Sequence, residues 1–491
     1  MERWPLIERK RSIKINAMLN VIKVGLSVIF PLITFPYISR VLQVDNLGKI
    51  NYSNSIISYF LLLSAMGVTS YAIREGAKIR DDEKLFNQFA SEVFSVNVIT
   101  TIVAYILLIL LVLAVPKFHS YFDVIMIQSF SIVFTTLGIE WINNIYEDYL
   151  YITIRSIVIQ VLSLICLFIF VKTSDDYLIY AGIMVFSSGL VCIFNLIHCR
   201  KFIKLKLKLN CNIKKHLKPM IIFFSNTIAV TIYVSADTTM LGWFKGDYYT
   251  GLYAVSVKIY QVVKQLLTAV YMVTISRLSN YAEKESYLEY KNLLTEICSF
   301  LLLIMLPVCT GVWVLAEKII IVLSGVEYME AAISLKILAI ALFFAVASGV
   351  LVNCFNTPLR REKISLKATI FAAIANIILN IFFIPIFYQN GAAFTTVVSE
   401  MLVCIICIYY NRDIKKFIDL EKLFTQLKYA IIESILIIGL GETLSIWVDS
   451  SVLFILIVMI LSFVGYSIIL IVGKNEYAIS MLELVKKKRI C

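Results

Sequence analysis

Fourteen apolar runs of roughly 20 residues, each closed by charged or turn-forming residues, recur along these 491 residues; a run of that length crosses about 30 Å of hydrocarbon as a helix. They lie at 17–39, 50–67, 93–115, 121–139, 152–171, 177–198, 219–241, 251–275, 296–316, 333–354, 367–387, 391–410, 429–447 and 451–473. Apolar residues make up 60% of the chain and charged residues 16%, against about 45–50% and 25% in soluble proteins. The chain therefore reads as an all-α integral membrane protein without room for a sizeable soluble domain.

The charge balance, formally +12, is informative only once the loops are assigned. With the N-terminus in the cytoplasm, 35 Lys and Arg fall in cytoplasmic segments, Arg155 and eight residues between Arg200 and Lys218 among them. Six fall outside: Arg40, Lys49, Lys117, Lys172, Lys245 and Lys318. Fourteen crossings with both termini cytoplasmic follow, and the net charge is a topogenic signal with no nucleic-acid partner implied. The N-terminal stretch lacks a small-residue cleavage site and reads as a retained tail. External loops of at most about 15 residues are too short for the outer-face chemistry of polymerases or glycosyltransferases, so transport is expected and an enzyme is not.

Cysteines chiefly fall inside apolar runs and read as small buried hydrophobes; Cys404 and Cys407 have CxxC spacing but sit mid-helix. His119, His198 and His216 are not at ligand spacing within a span, so no metal or cofactor is expected.

Two segments repeat at an offset of 203: Gly48 precedes Arg74 by 26 residues, as Gly251 precedes Arg277. Each starts at an outer turn, crosses once and ends on a cytoplasmic arginine, so span one corresponds to span seven and span two to span eight, as a parallel repeat. The expected organisation is an N-terminal six-helix lobe (1–200), a C-terminal six-helix lobe (201–412) facing it across a cleft, and two added helices with a basic tail (413–491).

Charges inside spans cost several kcal/mol and by default face a cavity or a partner. In the eighth span Lys258, Gln261, Lys264, Gln265 and Thr268 fall within an arc of about 120° at 100° per residue. That stripe is expected to line a wet passage; helix-to-helix hydrogen bonding is the competing reading. Span two offers Asn51, Asn54, Ser55 and Ser58 on one face. Lys23 lies near the cytoplasmic entrance, and Arg40 caps the outer end of span one beyond Pro31 and Pro36, which suggest a bent helix. The acidic candidates for binding a coupling ion are Asp237, Glu140 and Glu400; Asp237 is placed to pair with Lys258, and Glu400, alone in span twelve, is the better proton-coupling candidate. The segment RKFIKLKLKLNCNIKKHLK alternates lysine and leucine, a pattern suited to an anionic leaflet.

The stretch FPLITFPYISRVLQVDNLGKINYSNSIISYF, followed by GVTSYAIREGAKIRDD, resembles the Wzx-type polysaccharide flippases, as do IEWINNIYEDYLYITIRS and SADTTMLGWFKGDYYTGLYAVSVKIYQ. It covers about the first 290 residues. Gln43 stands where that family usually has glycine, and ISRLS replaces a more usual PRxS. The resemblance implies the fold of the multidrug/oligosaccharidyl-lipid/polysaccharide exporter superfamily, MATE-like, with alternating access. It further implies a bacterial inner-membrane protein moving undecaprenyl-diphosphate-linked oligosaccharide units, of O-antigen or capsule type, from the cytoplasmic to the outer leaflet. Partners so implied are that substrate, membrane lipids, and a polysaccharide polymerase and chain-length regulator. Lys258, Lys264, Lys23 and Arg40 are placed to neutralise a diphosphate. A lipid II flippase shares fold and helix count; a drug or cation antiporter would favour carboxylates over the cationic stripe.

Overall fold

The computed structural model describes the backbone of residues 13–207 and 213–479, and the side chains of 25, 26, 29–207 and 215–479 apart from 222, 225, 226, 229, 230 and 233. Among these residues the regular structure is helical throughout. By packing the chain divides into two compact units, Met1–Gly251 and Leu252–Cys491. Sequence repetition divides it at 200 instead; the two divisions follow different criteria and differ by the placing of the seventh span.

The first unit holds α1 (Ile13–Ala65), α2 (Val68–Ile79), α3 (Glu83–Ala114), α4 (Phe122–Leu137), α5 (Glu140–Ile145), α6 (Tyr149–Phe170), α7 (Tyr177–Cys199) and α8 (Ile213–Lys245). The second holds nearly all of α9 (Asp247–Met272), then α10 (Ile275–Glu283), α11 (Tyr287–Ser324), α12 (Ala331–Val350), α13 (Glu362–Tyr410), α14 (Leu420–Trp447) and α15 (Ser451–Val472). Each of the fourteen predicted spans lies on helical backbone for most of its length, with turn or irregular residues at the ends of several. Spans one and two are the two arms of α1, and spans eleven and twelve the two arms of α13; each pair meets at a kink where one residue leaves helical geometry, Gln43 (φ 60°, ψ 178°) and Tyr388 (φ 53°, ψ −132°). In α1 that break falls beyond Pro31 and Pro36.

Ten helices among the described residues are long and apolar enough to cross a membrane. At 26 residues α9 has the length but is not one of them, since two lysines and two glutamines dilute its apolar run. The short helices after the second and eighth spans are amphipathic instead. On α2, Val68, Tyr71, Ala72 and Gly76 are buried at helical spacing while Arg74 and Lys78 stay out.

Packing in the first unit places the two repeat turns against each other. A Cβ added to Gly48 would lie 1.9 Å from the Asp247 carbonyl oxygen, and one added to Gly251 would lie 2.0 Å from the Val44 carbonyl oxygen. Residues 44 and 48 become 247 and 251 at the offset of 203, so each glycine meets the backbone four residues ahead of the other, a reciprocal contact of the kind a two-fold axis produces. Lys117 closes the nearby end of α8, donating to the carbonyls of Gly242 (2.8 Å) and Trp243 (2.5 Å).

The lysine-leucine alternation resolves into an extended segment. Ile203 is buried with Phe202 and Leu205 packed on the same apolar cluster, while Lys201, Lys204 and Lys206 are exposed. The segment is pinned to α3 where Lys204 N donates to Asn87 Oδ1 (2.8 Å) and Lys206 N to Ser91 Oγ (3.2 Å). Residues 208–212 of the hairpin lie outside the described ones.

Candidate transport site

The α9 stripe is uneven in its surroundings. Gln261 and Gln265 are exposed, and Lys258, Lys264 and Thr268 are half-buried. One feature corrects the sequence reading: Lys264 does not stand as a free amine, nor Glu400 as an isolated carboxyl. Lys264 Nζ donates to Glu400 Oε1 at 2.8 Å. Tyr260, one turn back on α9, accepts from Lys264 (3.3 Å) and donates to the same carboxylate oxygen (3.2 Å). Ser348 at the end of α12 donates to Glu400 Oε2 (3.2 Å). The Glu400 side chain is 6% exposed against 33% for that of Lys264. Thus the anion is enclosed by donors while the ammonium keeps an open side, which is the arrangement in which a second anion can compete for the same cation. Within the second unit Lys258 has no acidic partner among the described residues.

On the second arm of α1, Asn54 is exposed and Asn51 bonds back to the Leu47 carbonyl (2.8 Å). Ser58 shares a hydrogen bond with Ser235 (3.0 Å), and Thr239 of α8 donates to Ser55 (2.9 Å). The hydroxyls of that face are therefore engaged in helix packing. Arg40 is exposed and Asp237 is buried. The side chain of Lys23 lies outside the described ones.

Arg155, counted among the cytoplasmic loop charges, is 5% exposed on α6. Its guanidinium lies 3.3 Å from Glu140 Oε1 and donates to Asn195 Oδ1, which also accepts from Asn143 (2.9 Å). A charge at a span boundary looks alike in sequence whether it enters the lipid headgroups or turns inward, so this pair was not legible. Another polar cluster went unread in the second unit. Asn380 donates to Asn376 (3.1 Å) and accepts from Thr395 (2.5 Å), while Asn376 Nδ2 is buried without a partner. Two asparagines four apart in an apolar run were its signal.

Two of the three histidines serve as staples. His216, fully buried at the start of α8, bonds Tyr71 of α2 (2.8 Å) and Glu92 of α3 (2.9 Å). His198 bonds Asp148 (2.8 Å), the N-cap of α6. Cys404 donates to the Phe344 carbonyl and Cys407 accepts from Asn356, so the CxxC pair is spent on packing.

Comparison with known proteins gives the family and the fold. The sequence model of a family described as "Polysaccharide biosynthesis protein" matches residues 13–282, more than half of the chain. The "Putative O-antigen transporter" of Escherichia coli (strain K12) is 25% identical over 421 residues, covering 83% of this chain and 98% of that protein. Among solved structures, "Lipid II flippase MurJ, inward closed conformation" superposes with TM-score 0.75 at 15% identity, covering 94% of this chain and 99% of that one. An outward-facing multidrug resistance MATE family transporter of the MOP superfamily gives 0.51 at 15% identity, over 82% and 93%. At these identities the two structural likenesses show the fold, the one expected from sequence.

Proposed function

The chain belongs to the polysaccharide biosynthesis protein family, and from that premise we propose that it is a flippase for lipid-linked oligosaccharide. The substrate we assign is an undecaprenyl-diphosphate carrying a repeat unit of O-antigen or capsule type, moved from the cytoplasmic to the outer leaflet of a bacterial inner membrane by alternating access. Both termini are then cytoplasmic, and a polymerase with its chain-length regulator takes up the product. The O-antigen transporter named above supports the substrate class.

The observation that carries the reading is the ion pair on α9. Lys264 is held by Glu400 yet open on one side, so the diphosphate and the carboxylate compete for one ammonium. When the diphosphate takes Lys264, with Lys258 as second cation and Gln261 and Gln265 meeting the sugar, Glu400 is released to take up the coupling ion. Release of the substrate restores the pair. Arg40, Lys23, Asn51 and Asn54 are assigned to the same path, with Asp237 as a further ion-coupling group.

The test is movement of a labelled undecaprenyl-diphosphate disaccharide across proteoliposomes under an imposed proton or sodium gradient. Lys264→Ala is expected to lower the rate at least tenfold with membrane abundance unchanged, and Glu400→Gln to abolish the response to the gradient while slow equilibration persists. Unchanged rates in both variants would remove the pair from the mechanism.

A further inference from the structure

The first unit contains a cavity of about 460 Å³ built from residues 65–195 alone. It lies where α2, α4, α5 and α7 converge, on the side that the loop charges assign to the cytoplasm. Asn97, Glu140, Trp141, Asn144 and Asn195 are among its lining residues, with Phe134 and Thr136 beside them. Two breaks in the helices bound it. The chain turns from α1 into α2 through Met66 and Gly67, and from α4 into α5 through Ile139, whose φ of +39° is strained for a β-branched residue. Glu140 and Trp141 follow that turn directly.

The chemistry of the wall is selective. Arg155 neutralises Glu140 from behind at 3.3 Å, and among the described residues no lysine, arginine or histidine lines the cavity, so a phosphate finds no counter-charge there. Asn195, one of the lining residues, is fully buried with its oxygen already accepting from Arg155 and Asn143, which leaves Nδ2 buried without a partner. A buried donor in that state costs about 1–3 kcal/mol until an acceptor arrives. Amide donors and acceptors, one carboxylate with its charge balanced, and two aromatic rings suit a neutral ligand with hydroxyls on its edge and C–H groups on its faces.

We propose that this cavity binds a neutral saccharide of the class that the transported lipid carries. The site rests on the flippase reading for its expectation of a glycan and on its own residues for everything else. Glu140 accepts hydroxyl hydrogens, Asn195 Nδ2 donates to a hydroxyl or acetamido oxygen, and Asn144 closes the rim.

The experiment uses the full chain in lipid nanodiscs free of sugar-headed detergent, with saturation-transfer NMR to N,N′-diacetylchitobiose and inorganic pyrophosphate as competitor. Signal on the disaccharide ring protons is expected in wild type, weakened about fivefold or more, as one lost hydrogen bond of about 1 kcal/mol gives, in Glu140→Gln and Asn144→Ala, and unaffected by pyrophosphate. Glu140→Gln strands Arg155 and can unfold the protein. Asn144→Ala removes only a hydrogen bond within its own helix, to the Glu140 carbonyl, and keeps the test open. No disaccharide signal in wild type, undiminished signal in both variants, or displacement by pyrophosphate overturns the site. Transport by the same preparations separates the readings: wild type that transports without binding the disaccharide here loses only this site.

Discussion

Gln43 occupies a backbone region (φ 60°, ψ 178°) that is open to glycine and crowded for every residue with a Cβ. The resemblance flagged this position as a departure, and the structure gives the reason glycine is favoured: here α1 breaks once and continues. Gln43→Gly is expected to stabilise the protein by about 1 kcal/mol, the relief of roughly 1–3 kcal/mol of strain less the added freedom of the unfolded chain. Thermal unfolding in nanodiscs checks it, and a lowered midpoint would show that the glutamine side chain contributes more than its backbone costs. Lys264 illustrates the opposite limit on reading. Its face on α9 followed from helical phase, but its partner lies 136 residues away, and phase within one helix says nothing about which neighbour turns toward it.

Element boundaries were legible where hydropathy changes sharply and obscure where it does not. The runs at 17–39 and 50–67 read as separate spans because polar residues part them, and the backbone break at Gln43 falls between the two runs. The end of α13 shows what composition could not: Arg361, counted as a loop charge, and Asp413 clasp the two ends of that helix through bonds of 2.8 and 2.7 Å. Arg361 also donates to Asn411, which donates to Asn356. The hydrogen bonds from Arg361 hold the Asp413 carboxyl below its usual range against the opposing effect of burial. A carboxyl with a depressed folded value stabilises the fold above its unfolded value, about 3.9, and that contribution disappears as pH falls through the folded value. Acidification below about pH 4 should therefore lower the unfolding midpoint of wild type more than that of Asp413→Asn. Parallel acid profiles would dismiss the clasp as a source of stability.

At the scale of the molecule, the 203-residue offset was visible as two glycine-to-arginine spacings, and its structural counterpart is the reciprocal seating of Gly48 and Gly251. What the letters could not convey is that the two copies touch at this point. Gly48→Ala and Gly251→Ala should each cost about 2–3 kcal/mol, since a methyl group has nowhere to go but into a carbonyl. The double variant should lose less than the sum, both changes acting on one contact. Thermal unfolding of the three variants decides, and full additivity would argue that the seats are independent. The pairing of Lys264 with Glu400 has a consequence for biogenesis. At about 5–20 residues per second the ribosome delivers the carboxylate roughly 7–27 s after the ammonium. During that interval α9 reaches the translocon carrying charges that oppose its partition into lipid by about 2.5–3.5 kcal/mol for each centrally placed lysine. It must linger at the protein-lined exit until α13 emerges, so insertion of this helix is a late and cooperative event.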